Sequence, residues 1–340
     1  MSIETAERQD TVAVAPEQPM LEVKDLVVRY GRGRKAAAVP AAVDGVSFSI
    51  LPGETVGLVG ESGSGKSTIG KAILGLQKSA GGTITYQGED ITHAGAAKRR
   101  ALGGELRAVF QDPNSSLNPR QTVGASLAEP LGLRGVTAAE AREKAEAMLE
   151  RVGLPREAVA RYPSQFSGGQ RQRIAVARAL ICDPRLVVCD EAVSALDLST
   201  QAQVLNLLAD LRDERGLSYL FIAHDISVVQ FLAQRVVVLY RGQVMESGPA
   251  AAVTEAPKHP FTQALVAASP VPRPAEQAQR RAAREALGVR TAAAAAVSPG
   301  GCPFSQRCPL ATELCTSERP ALRKVGASDV ACHYAWGSPR

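Results

Sequence analysis

Eight residues, Gly60-Glu61-Ser62-Gly63-Ser64-Gly65-Lys66-Ser67, match the phosphate-binding loop pattern at every position. The chemistry such a loop serves is capture of a nucleoside triphosphate. Glycine takes positive φ without steric cost, so successive backbone N–H groups can turn inward around a phosphate. Lys66 would reach the β- and γ-phosphates, and the Ser67 hydroxyl would hold Mg²⁺. A helix opening at Ser67, with Thr68 in its first turn, adds the positive end of its dipole to the same anion.

A second pair of candidates, Asp190 and Glu191, ends the apolar run Leu186-Val187-Val188-Cys189. Four apolar residues closed by two carboxylates read as a buried parallel strand. Such a strand delivers its acids to the carboxyl edge of a sheet, where α/β folds bind ligands. The run Thr55–Val59 leads into the glycine loop in the same way, and Tyr219–Ala223 leads into His224.

These side chains need a frame. Residues 21–30 and 46–59 read as strands, Gly82–Gly88 as an edge hairpin strand, and 186–190, 219–223 and 236–240 as further strands. From Gln111 to about Pro184 the strand patterns disappear. Thr137-Ala138-Ala139-Glu140 is a capping box opening a helix to Arg151, which Gly153 and Pro155 end. The order predicts an α/β phosphate-loop fold: a mostly parallel core sheet, an antiparallel β subdomain and a helical insertion.

Lys plus Arg and Asp plus Glu number 29 each through residue 270, so the net +5 resides wholly in the tail. A neutral body without basic runs interleaved with aromatics argues against nucleic-acid binding. The first nineteen residues lack an apolar core and read as a disordered leader rather than a signal peptide. Nothing approaches the roughly 18–20 apolar residues of a membrane span. The expectation is a soluble cytosolic protein, with membrane association through a partner.

Further motifs carry a family resemblance. Phe166-Ser167-Gly168-Gly169-Gln170, about a hundred residues beyond the loop, resembles the signature motif of ATP-binding cassette ATPases. That family usually has Leu where this chain has Phe166. The resemblance implies that Ser167, Gly168, Gly169 and Gln170 face the ATP of a second cassette. It makes Asp190 a Mg²⁺ ligand, Glu191 the glutamate that polarises the attacking water, and Gln111 a Q-loop residue contacting Mg²⁺. Ser194-Ala195-Leu196-Asp197 resembles the D-loop at the dimer interface, and His224 the switch histidine at the γ-phosphate. Tyr30, ending the first strand, is the candidate for stacking on adenine.

The tail from 269 to 340 changes character. Pro270, Pro272 and Pro274 end the cassette of residues 20–268, residues 275–287 suit a short helix, and Ala292–Ala296 is spacer. Four of six cysteines follow: Cys302, Cys308, Cys315 and Cys332. Stable disulfides are disfavoured in a reducing cytosol, which favours a 4Fe–4S cluster, zinc, or free thiols. Cys182 and Cys189, in or beside apolar runs, suit packing as small hydrophobes. Lys258-His259-Pro260-Phe261-Thr262-Gln263-Ala264-Leu265 and Gly301–Pro309 resemble the C-terminal extension of oligopeptide/dipeptide importer ATPases, some of which hold a 4Fe–4S cluster there. The resemblance implies a heterodimer with a related cassette, two membrane permease subunits, an extracytoplasmic binding protein, and a place at the cytoplasmic face of the inner membrane. Nickel importers share much of this tail. A soluble cassette of DNA repair or translation, and a cassette that binds ATP without hydrolysing it, are the other classes. Missing coiled-coil insertions argue against the first, and intact Lys66, Asp190, Glu191 and His224 against the second.

Overall fold

The computed structural model describes residues 18–31, 39–112, 116–194, 196–269, 277–278, 282, 285, 288–289 and 300–335. Residues 1–17 of the expected leader, the spacer at 292–296 and most of the 275–287 helix lie outside these residues.

Two sheets carry the fold. The first is antiparallel and runs β2-β1-β4-β5, from β1 (Leu21–Val28), β2 (Val43–Ile50), β4 (Gly81–Tyr86) and β5 (Glu89–Asp90). The second has eight strands in the order β11-β12-β10-β9-β3-β8-β7-β6. Its parallel part is β9 (Arg235–Tyr240), β3 (Thr55–Gly60), β8 (Ser218–Ala223), β7 (Leu186–Asp190) and β6 (Leu106–Val109). The antiparallel part adds β10 (Gln243–Pro249), β12 (Ser328–Val330) and β11 (Arg323–Val325).

One sequence expectation needs correction, and two details go beyond the sequence reading. The run 46–59 divides into β2 and β3, because Pro52 and Gly53 (φ +71°) turn the chain and Glu54 N–H donates to Leu51 C=O. Gly82–Gly88 is not an edge: β4 is bonded to β1 and β5, and the two-residue β5 forms the rim. The tail is no separate appendage. Glu246 and Ser247 of β10 pair with Val330 and Asp329 of β12, so the tail lengthens the core sheet.

Period-two alternation divides the core between the two faces of this sheet. Val56, Leu58, Val188, Leu220, Ile222, Val237 and Leu239 pack toward the antiparallel sheet and the helix Lys66–Ile73. Val59, Val187, Cys189, Tyr219, Phe221, Val236, Val238 and Tyr240 face the other way. On that face they meet the helices Val123–Gly132, Ala138–Arg151, Gly168–Leu180 and Leu198–Arg215, and the tail's Phe304. Thr137 and Glu140 form the capping box of Ala138–Arg151. Cys182 and Cys189 are buried.

Candidate active site

Strand register brings the site together. In the parallel pairs Val59 lies opposite Ala223, Asp190 opposite Ile222, and Val109 opposite Cys189. Gly60, Asp190, Glu191, Gln111 and His224 therefore leave the sheet at one carboxyl edge, although they come from four separate strands.

The loop after β3 is tightly enclosed. Gly60 has φ +153°, and a Cβ there would stand 2.1 Å from Leu239 C=O. At Gly65 (φ +101°) a Cβ would stand 2.4 Å from Ala42 C=O. Gly65 is also the N-cap of the helix Lys66–Ile73 and offers no side chain to its first turn, so those N–H groups stay available to an anion. Lys66 Nζ donates to the carbonyls of Gly60 (2.8 Å) and Glu61 (2.9 Å) and lies 3.4 Å from Ser64 Oγ. Burial lowers the Lys66 pKa, while Glu191, Asp190 and Glu61 oppose that shift. A buried ammonium facing carboxylates suits a triphosphate that carries its own metal.

Ser67 Oγ donates to Asp190 Oδ1 at 2.8 Å. This pair of hard oxygens matches the donor preference of Mg²⁺. Glu191 has φ +51°, in the left-handed region that a branchless but bulky side chain seldom takes. Its N–H donates to Ile222 C=O, and its C=O accepts from Ser194 Oγ at 2.9 Å. These two hydrogen bonds hold the Glu191 backbone in that conformation. Gln111 and His224 are exposed, and neither hydrogen-bonds the Ser67–Asp190 pair among the described residues. Tyr30 is 46% exposed, and its hydroxyl meets Thr68 Oγ1 at 2.9 Å, leaving ring surface open.

The signature residues lie elsewhere. Ser167 caps the helix Gly168–Leu180 by accepting from Gln170 N–H, while Gln170 accepts from Ser167 N–H. Gly168 has open space around it, and Gly169 packs against Thr200 in the first turn of the helix that Asp197 caps. Phe166 is buried, which explains why an apolar exchange at that position is accommodated. Leu196 is half-buried, and Ala195 falls outside the described residues. Among the described residues, no hydrogen bond joins 167–170 to the phosphate loop.

In the tail, Cys302, Cys308, Cys315 and Cys332 line one apolar cavity of about 10 Å³ with His259, Phe304 and Tyr334. All four are free thiols. Burial raises the pKa of Cys302 and Cys308 to about 11, with the neighbouring thiols adding to the shift. Among the described residues, no group of three or more His, Cys, Asp or Glu is placed to hold a metal ion. Phe304 sits between Tyr240 (5.4 Å between centroids) and Phe261 (5.4 Å). Full burial of such a ring stabilises by about 2 kcal/mol, against under ~1 kcal/mol for a half-exposed ion pair. Phe304 therefore contributes more to docking of the tail than such an ion pair does.

One site residue was not foreseen. Arg307 of the tail donates to both carboxylate oxygens of Glu61, at 2.9 and 2.8 Å. Nothing local in the sequence signals this contact, which joins residues 246 positions apart.

A largely parallel sheet with a glycine loop, a lysine and a Ser–Asp pair at its carboxyl edge defines the phosphate-loop nucleoside triphosphatase class. Residues 43–194 match the ABC transporter family, and residues 245–315 match the oligopeptide/dipeptide transporter C-terminal region. A putative peptide import ATP-binding protein of Brucella abortus (strain 2308) is 45% identical over 334 residues, which is 97% of this chain and 98% of that one. The glutathione import ATP-binding protein GsiA of Salmonella paratyphi A is 49% identical over 80% of this chain and 44% of its own length. Among solved structures, a dimeric ATP-binding cassette in a post-hydrolysis state with ADP and Pi has a TM-score of 0.62 at 29% identity, covering 68% of this chain and 99% of that one. The cbiO1 protein of Clostridium perfringens, part of the ABC transporter complex cbiONQ, also reaches 0.62, at 26% identity over 71% of this chain and 92% of its own. The chain belongs to the ABC transporter ATPase family, with a C-terminal region of the oligopeptide/dipeptide transporter type. No helix among its described residues is long and apolar enough to cross a membrane.

Proposed function

We propose that this chain is the ATP-hydrolysing subunit of a peptide importer. It pairs with a related cassette as a heterodimer beneath two membrane permease subunits, which take substrate from an extracytoplasmic binding protein. It works at the cytoplasmic face of the inner membrane, held there by those partners. The observation that carries the reading is the union, in one chain, of the Ser67–Asp190 site with an oligopeptide/dipeptide-type tail.

In this reading Tyr30 stacks on adenine, and the N–H groups of Gly60–Thr68 with Lys66 bind the phosphates. Ser67, Asp190 and Gln111 would hold Mg²⁺, which would supply neutralisation of the triphosphate's charge. Glu191 orients and polarises water for in-line attack on the γ-phosphorus, so that ADP leaves. His224 contacts the γ-phosphate. Ser167, Gly168, Gly169 and Gln170 complete the partner's ATP site, and Ser194, Ala195, Leu196 and Asp197 run along the dimer interface. The hydrogen bond between Ser194 Oγ and Glu191 C=O supports coupling of that interface to the water-orienting carboxylate.

Cys302, Cys308, Cys315 and Cys332 are assigned to a 4Fe–4S cluster. The donor set suits one: four free thiols face one apolar cavity. That cavity has room for about one water, so the four cysteines would hold a cluster only with their thiols further apart. Iron near four per chain in anaerobic protein is the expected analysis; one zinc, or no metal, overturns the assignment.

The import reading is tested with the assembled transporter in vesicles. ATP-driven uptake of labelled di- or oligopeptide is expected, and uptake of nickel without peptide overturns it.

A further inference from the structure

The tail reaches into the ATP site itself. Its turn is rigid: Ser305 N–H donates to Cys302 C=O, both Arg307 and Cys308 N–H donate to Phe304 C=O, and Cys302 N–H donates to Cys315 C=O. Arg307 projects from this turn with its guanidinium 5.7 Å from the Tyr240 ring centroid and 5.6 Å from that of Phe304. One of its terminal nitrogens donates to both Glu61 oxygens and lies 3.4 Å from Tyr240 Oη.

Glu61 is an awkward residue in a phosphate cradle. Its carbonyl takes the Lys66 ammonium, yet its carboxylate belongs to the same loop that must accept a polyanion. An uncompensated carboxylate there repels a triphosphate through a partly buried medium, where charges are poorly screened. Phe304 already anchors the tail by burying its ring, so docking alone does not require an arginine aimed at this acid. Burial opposes the charge on Arg307, and the Glu61 contact outweighs that effect.

We propose that Arg307 is a positioning residue for ATP, supplied by the C-terminal tail: it cancels the charge of Glu61 and holds that residue so that its carbonyl stays on Lys66. The inference stands on the ATP site and is independent of which solute the transporter carries.

The test is equilibrium binding of MgATP to the full chain, with steady-state hydrolysis alongside. Arg307→Met keeps an apolar stem over Tyr240 and Phe304 while removing the charge. It is expected to weaken MgATP binding about fivefold, the scale of a half-exposed charge pair, and to raise KM while kcat changes less than about twofold. Adding Glu61→Gln to Arg307→Met is expected to restore binding, because the orphaned carboxylate is then gone. Arg307→Lys, which keeps the charge, is expected to bind within about twofold of the parent chain and carries the test if Arg307→Met does not fold. Unchanged affinity in Arg307→Met, a loss that Glu61→Gln leaves in place, or a loss in Arg307→Lys above about fivefold would overturn the proposal. Each of these would make Arg307 a tail anchor only.

Discussion

Ser67 and Asp190 lie 123 residues apart in the chain and meet through a 2.8 Å hydrogen bond at the carboxyl edge of the core sheet. One comes from the turn after β3 and the other from the end of β7, with β8 between the two strands. The Mg²⁺ site proposed above is therefore a property of strand order. Ser67→Ala removes one hard oxygen and leaves Asp190 without this donor. Mg²⁺-dependent hydrolysis is expected to fall by roughly two orders of magnitude, with nucleotide binding in the absence of Mg²⁺ little changed. A Mg²⁺ titration of ATPase activity checks this, and an unaltered half-saturation point removes Ser67 from the role.

Glu191 combines strain with chemistry. Glu191→Gln should lower kcat by about 10²–10⁴, the range for losing a positioned base, while MgATP still binds. Glu191→Asn should be equally inactive. Because Asn tolerates the left-handed region, that variant should be at least as stable as the parent, by up to ~1 kcal/mol. Chemical denaturation of the three proteins reads the comparison; a less stable Asn variant would show that φ +51° carries no strain here.

The loop glycines are unequal. At Gly60 a methyl group meets backbone 2.1 Å away, while at Gly63 (φ +77°) it meets nothing within 4 Å. Gly60→Ala is expected to cost more than about 2 kcal/mol and to abolish ATP binding, whereas Gly63→Ala costs about 1 kcal/mol from backbone strain alone. Equal losses in urea unfolding contradict this ordering.

Cys189 gives a pH signature. Complete burial, with Asp190 beside it, raises its thiol to about 12 from 9. Between pH 9 and 12 the unfolded chain releases a proton that the folded chain keeps, so folded stability falls as pH rises through that window. The contribution is fully present below pH 9, and its slope approaches about 1.4 kcal/mol per pH unit. Tyr219, whose hydroxyl burial also keeps protonated, acts in the same direction in both proteins when the parent is compared with Cys189→Ala. The Ala variant should lose less stability from pH 9 to 10.5, and parallel curves would refute the assignment.

Much of the site could be read from residues in a row. The glycine loop, Leu186–Glu191 and Tyr219–His224 are local patterns: apolar residues that must be buried, followed by groups that do chemistry. The continuous apolar runs of β3, β7, β8 and β9 are likewise local, because a strand buried on both faces is apolar throughout. Short or late strands escaped. β6 has four residues, and β11 and β12 three each, too few to show alternation. They form because neighbouring strands offer unpaired backbone groups.

Other relations belong to the tertiary structure alone. That Ser67 meets Asp190, that His224 leaves the sheet beside Gly60, and that Arg307 grips Glu61 across 246 positions depend on strand order, register and the docking of Phe304. A residue's type states which partners it can satisfy. It does not state which distant residue arrives, because that choice follows from how all the buried surfaces pack at once.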